Sequence, residues 1–127
     1  MLLLDSQAAL WVLSGNPRLG PHARRLIETS PAVHLSAATA WELTIKAMLG
    51  KVDLPAGLVG KVEQQGLAIL TITADHAEAL REFPELARHD PFDRLIVAQA
   101  HLTGMRLLTA DRVLLALDRD FVIDASQ

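Results

Sequence analysis

Cysteine is absent from this 127-residue chain, which excludes a disulfide framework and any thiolate metal site. Tyrosine is absent too, and two Trp with three Phe leave aromatics at only 4% of the sequence. The core must then be aliphatic, built from Leu, Ile, Val and Ala. No apolar run approaches the ~18 residues of a membrane span, and the opening Leu2-Leu3-Leu4-Asp5 carries no basic leader. The expectation is a cytoplasmic protein with no membrane association. Positive charge is not in excess either: 12 Lys plus Arg against 15 Asp plus Glu give a formal charge of −3. That is the opposite of a protein that binds nucleic acid by backbone neutralisation alone. It leaves open a nucleic-acid substrate met through acids gathered around a metal ion. There is no internal repeat or low-complexity segment, and the length suits one domain spanning residues 1–127.

The punctuation of the chain alternates short apolar runs with helical patterns. Leu2 to Leu4 reads as a strand, Asp5-Ser6 as a turn, and the following stretch as a helix that ends at Gly15-Asn16-Pro17. Pro21 to Thr29 suits a helix with proline at its first position. Ala32 to Leu35 is a second strand running into Ser36, a good N-cap for a helix that stops at Gly50. Lys51 to Gln65 is expected to be a short, irregular helix, because Pro55, Gly57 and Gly60 lower helix propensity. Leu67 to Ile72 is a third strand, with Thr73 capping a helix over Asp75 to Arg81 that Pro84 closes. Asp90 before Pro91 starts a helix that Gly104 ends, and Arg106 to Thr109, Arg112 to Leu117 and Phe121 to Ile123 complete a strand, helix, strand series. Strands alternating with helices throughout predict an α/β domain with a mostly parallel sheet covered on both faces.

In such sheets the functional crevice lies outside the carboxyl ends of the strands. Asp5 follows the first strand, Asp111 follows a later one by two residues, and Asp93 lies in the first turn of a helix whose N-terminus points the same way. Glu42 sits between Trp41 and Leu43, which imply that its stretch of helix is at least partly buried. Each acid also has a plainer reading. Asp5 and Asp111 suit helix caps, Asp90 and Asp93 suit a cap and a dipole-favoured acid, and Glu42 has Lys46 four residues on for an ion pair. Clustering separates the two kinds of reading. Two carboxylates at ~4 Å repel by about 4 kcal/mol at an effective dielectric near 20, so four of them need protons or a cation to stay together. All-oxygen ligation selects a hard ion such as Mg²⁺ or Mn²⁺, and no paired-histidine motif calls for zinc. A divalent ion beside a phosphate supports phosphodiester hydrolysis. His22, His34, His76 and His101 read as structural or exposed; His89 stands apart because it adjoins Asp90.

Four segments taken in order resemble the PIN-domain ribonucleases, specifically the VapC-type toxins of toxin-antitoxin pairs. They are Leu2-Leu3-Leu4-Asp5-Ser6, the run from Ser36 to Lys46 followed by Gly50-Lys51, Asp90-Pro91-Phe92-Asp93-Arg94-Leu95-Ile96 leading into Ala98-Gln99-Ala100, and Leu107-Leu108-Thr109-Ala110-Asp111. The resemblance covers essentially the whole chain. It implies a single Rossmann-like PIN domain with a five-stranded parallel sheet, and Asp5, Glu42, Asp93 and Asp111 as catalytic and metal-holding acids. Asp111 is the more variable fourth member, and Asp90 becomes a helix cap with at most a secondary role near the metal. It further implies Mg²⁺ dependence with Mn²⁺ as a substitute, endonucleolytic cleavage of RNA, a homodimer, and a VapB-type antitoxin that blocks the pocket. The apolar run Leu10-Trp11-Val12-Leu13 fits either an antitoxin-docking helix or a core helix. Lys46, Arg94 and Arg112 are candidate contacts to the scissile phosphate, each with a simple salt bridge as its plainer reading.

Two rival functions remain. A catalytically inactive PIN-like module would bind RNA or antitoxin without metal-stimulated cleavage. A receiver-like phosphoacceptor needs an acid at the end of its central third strand. Ile69-Leu70-Thr71-Ile72 supplies none before Asp75, and no strand-end lysine follows Thr109.

Overall fold

The computed structural model describes residues 1–54 and 56–127. Five strands form one sheet in the order β3-β2-β1-β4-β5, with β1 Leu2–Leu4, β2 Val33–Ser36, β3 Ala68–Leu70, β4 Arg106–Thr109 and β5 Val122–Asp124. Every pairing is parallel, and Leu3 of the central strand is level with His34 on one side and Leu107 on the other. The α/β architecture expected from the alternation is therefore the one the chain adopts.

Three consecutive leucines make β1 because a central parallel strand is covered on both faces and needs no polar alternation. Successive side chains point to opposite faces, so Leu2 and Leu4 enter one aliphatic layer with Leu35, Leu43 and Val62. Leu3 enters the other with Ile96, Val97, Leu107 and Leu114. Trp11 belongs to the first layer and is 7% exposed, which favours the core reading of the first helix, α1 Ser6–Ser14. Leu10, Val12 and Leu13 pack against the same layer but stay partly uncovered.

Local signals fix the helix ends. Helix α3, Ala37–Met48, is capped by Ser36, whose hydroxyl accepts from the Ala38 N–H at 3.0 Å. Helix α6, Pro91–Thr103, has Asp90 as its cap and Gly104 at φ 72° as its left-handed stop. Helix α2, Pro21–Thr29, has no side-chain cap. Instead the Ala23 N–H donates to the Gln127 carbonyl at 2.8 Å, and the Gly20 N–H to that of Ala125 at 2.9 Å. This close approach requires glycine at position 20, where a Cβ would stand 2.3 Å from the Gln127 backbone.

The middle of the chain departs from expectation. The irregular helix is α4, Leu58–Gln64, which begins after Gly57 at φ 76°; Pro55 lies outside the described residues. Helix α5 is only Ala74–Glu78 and tightens into a 3-10 turn at Ala79–Glu82. The segment stops at Phe83, φ −124°, directly before Pro84 as expected, and Pro84 also opens a second 3-10 turn, Pro84–Leu86, because its fixed φ suits a first helical position. Helix α7, Arg112–Leu115, is shorter than expected by two residues.

A buried polar chain ties α6 to the ends of β2 and β3 and to α5. Ser36 donates to Gln99 Oε1 at 2.6 Å, while Gln99 Nε2 reaches the Thr71 carbonyl at 3.3 Å and His76 Nδ1 at 3.2 Å. Gln99 is fully buried, so these bonds satisfy an amide that would otherwise be costly to bury.

Candidate active site

Asp5, Glu42, Asp93 and Asp111 line one cavity of about 320 Å³, together with Ser6, Gln7, Lys46, Asp90 and Ala110. The cavity lies at the carboxyl ends of the two central strands, where β1 delivers Asp5 and β4 delivers Asp111. Helices α3 and α6 bring Glu42 and Asp93 to it. The capping readings and the pocket are compatible, because a carboxylate has two oxygens. Asp5 Oδ1 accepts from the Ala8 N–H at 2.8 Å and so caps α1, while Oδ2 accepts from the Thr109 hydroxyl at 2.5 Å. Asp111 Oδ1 caps α7 through Val113 and Leu114, at 2.8 and 3.2 Å. Asp90 caps α6 through the N–H groups of Phe92 and Asp93, at 2.9 and 3.1 Å, and also lines the cavity.

Glu42 is 5% exposed, although its neighbour Trp41 is 62% exposed; of the two apolar residues beside Glu42, only Leu43 is buried. Trp41 instead rests edge-on against Phe92, with ring centroids 5.1 Å apart. Lys46 Nζ meets Glu42 Oε2 at 2.7 Å, and that hydrogen bond is the main reason the lysine is held above its ordinary pKa. Glu42 Oε1 is buried with no hydrogen-bond partner.

The electrostatics are those of an acid cluster that Lys46 compensates only in part. Burial pushes Asp5 up to about 6, against the lowering effect of its bonds to Thr109 and Ala8. Asp93 is pushed up to about 7, first by burial and then by the charges of Asp90, Asp111, Asp5 and Glu42. A buried orphan carboxylate oxygen and two acids that resist ionisation fit a divalent cation, which would supply the missing partner and charge. Oxygen donors of this kind suit Mg²⁺ or Mn²⁺.

Among the described residues, Lys46 is the single basic side chain lining the cavity. Arg94 is not directed there. One step along a helix turns a side chain by about 100°, and Arg94 sends its guanidinium back to the Ala87 carbonyl at 3.0 Å, beside a separate hollow lined by Leu80, Arg81 and Phe83. Arg112, adjacent to Asp111, is exposed and does not line the cavity. Conversely, His89, which does not line the cavity, lies close to two of its acids. Its Nε2 lies 3.1 Å from Asp93 Oδ2 and 3.7 Å from Asp111 Oδ2. The signal was its spacing of four residues from Asp93, which the intervening cap at Asp90 obscured.

Residues 2–120 match the PIN domain family. The chain belongs to that family. This PIN domain is 32% identical over 113 residues to Ribonuclease VapC22 of Mycobacterium tuberculosis, covering 87% of each chain. Its fold superposes on VapBC2 from Rickettsia felis, crystallised on a DNA fragment from the promoter, with a TM-score of 0.71 at 15% identity and 97% of both chains covered. DNA-bound VapBC from Salmonella typhimurium gives a TM-score of 0.70 at 23% identity, covering 97% of this PIN domain and 96% of that chain.

Proposed function

We propose that this PIN domain is a metal-dependent endoribonuclease toxin held in check by a VapB-type antitoxin. The observation that carries the reading is Glu42 Oε1, a buried, unpartnered carboxylate oxygen in a cavity shared with Asp5, Asp93 and Asp111. The likeness to Ribonuclease VapC22 supports RNA as the substrate, and the likeness to VapBC assemblies supports the antitoxin. Asp5, Glu42, Asp93 and Asp111 would hold Mg²⁺, or Mn²⁺ in its place. The ion would supply a water of lowered pKa and charge stabilisation at the scissile phosphate.

The remaining roles belong to the chain itself. Thr109 and the Ala8 N–H keep Asp5 oriented and favour its charged form. Lys46 neutralises one oxygen of Glu42 and leaves the other free for a ligand. Lys46 is also the base best placed to meet the substrate phosphate. No side chain is needed as a covalent nucleophile.

The 127 residues would act as a single catalytic domain, in the cytoplasm and as a homodimer. No described helix is long and apolar enough to cross a membrane. Trp41, Ile45, Met48 and Leu49 form an exposed apolar stripe on and just beyond α3, a surface that protein partners would cover. The test is incubation of the purified protein with structured RNAs, with Mg²⁺ or with EDTA, beside an Asp5→Asn variant. Cleavage is expected in Mg²⁺ alone. Cleavage that persists in EDTA or in the variant rules out this mechanism, and binding without cleavage in Mg²⁺ supports an inactive binding module.

A further inference from the structure

A histidine stands beside the acidic cavity, within 4 Å of two of its acids. His89 follows the second 3-10 turn, where its N–H donates to the Leu86 carbonyl at 2.9 Å. This anchors the residue directly before the α6 cap and turns its ring toward the two acids. Single ligand atoms of His89, Asp93 and Asp111 all lie within 4.8 Å of one another. A six-coordinate ion with bonds of about 2.1 Å sets neighbouring ligands about 3.0 Å apart and opposite ones about 4.2 Å apart. The 3.1 Å and 3.7 Å separations from His89 Nε2 fall between those limits. These two separations suit His89 and either acid as neighbouring ligands of one ion.

We propose that His89 is itself a metal ligand, making the cavity a mixed nitrogen and oxygen site that favours Mn²⁺ or a later first-row ion over Mg²⁺. The inference rests on the reading of the cavity as a metal site. Glu42 supports it independently, since its Oε1 is buried without a hydrogen-bond partner and the residue lines the cavity that Asp93 and Asp111 also line. Mg²⁺ gains little from an imidazole, whereas affinity for nitrogen donors rises along the first-row divalent series. A neutral donor also adds a bond without adding further negative charge. The competing role, a plain hydrogen bond from His89 to Asp93, puts no nitrogen on the ion.

The experiment uses the full chain and Mn²⁺ alone as the probe. Pulsed electron paramagnetic resonance of bound Mn²⁺ should show ¹⁴N modulation in the wild-type protein. Labelling the histidines with ¹⁵N should replace that pattern, a measurement that needs no variant. In His89→Asn the modulation should vanish. Calorimetry on the same variant should show Mn²⁺ affinity falling roughly tenfold or more, since losing even an outer-shell partner of a metal ligand costs about that much, with a smaller change for Mg²⁺. Bound Mn²⁺ without nitrogen modulation, or modulation that survives His89→Asn, overturns the inference and leaves the metal site standing. Failure of the wild-type chain to bind either ion overturns both.

Discussion

Thr109 donates its hydroxyl to Asp5 Oδ2 across 104 positions of sequence, and Thr109 Oγ1 in turn accepts the Asp111 N–H at 3.0 Å. One neutral side chain thus fixes two of the four acids. Hydrogen bonds to the charged form lower a carboxyl pKa, so Thr109→Val should push Asp5 further above its present value of about 6. Mg²⁺ affinity should then fall about tenfold near pH 6.5, from the loss of a charge-assisted bond, and recover toward pH 8.5. Calorimetric titrations at the two pH values check this, and Thr109→Ser should behave as wild type.

The raised acids also predict how metal-free stability varies with pH. An Asp whose folded pKa exceeds its unfolded value binds more protons when folded, so stability falls as pH rises between the two values. For Asp93 that window runs from 3.8 to about 7, and for Asp5 from 3.8 to about 6. Melting temperature in EDTA should decline as pH climbs from about 5 toward 7 and then level off. Added Mg²⁺ or Mn²⁺ should raise it more at pH 8 than at pH 5.5, because binding competes with protons at the same oxygens. A metal-free melting temperature that climbs through this window would show that these acids ionise freely.

Asp93→Asn should separate stability from activity. It removes a buried charge that faces Asp90, Asp111, Asp5 and Glu42, so the metal-free variant should melt higher at pH 8, by about 1 kcal/mol or ~4 °C for a domain of this size. RNA cleavage should be lost. Thermal melts and a cleavage assay on one preparation test both halves.

Gly20→Ala should destabilise the chain far from the site. The backbone there has φ −72°, which alanine adopts freely, so the penalty comes from the clash with Gln127. Overpacking against backbone costs typically 1–3 kcal/mol. Denaturant unfolding should show that loss, with Mg²⁺ affinity of the folded protein unchanged.

Most of this architecture was legible because its signals are local. Asp5, Ser36, Thr73, Asp90 and Asp111 all cap helices where the sequence placed them, and β1 could be read from an unbroken apolar run. The region between α4 and α6 was harder. Its turns are 3-10, where one proline fits a start as well as a stop, and Gln99 binds Ser36, Thr71 and His76 through contacts no periodicity reveals. At the site, neighbours in sequence misled: Arg94 and Arg112 adjoin acids but point elsewhere, while His89 reaches Asp93 and Asp111 through a cap.

Strand β1 has as its two neighbours β2 and the much later β4. Asp5 therefore meets Thr109 and Asp111 only after the roughly hundred residues that separate them have been made. Until then no truncated or nascent form has a complete acid pocket. If the mature protein cuts RNA, the machinery translating it works beside a harmless polypeptide until the last strands dock, and strand order serves as a built-in delay.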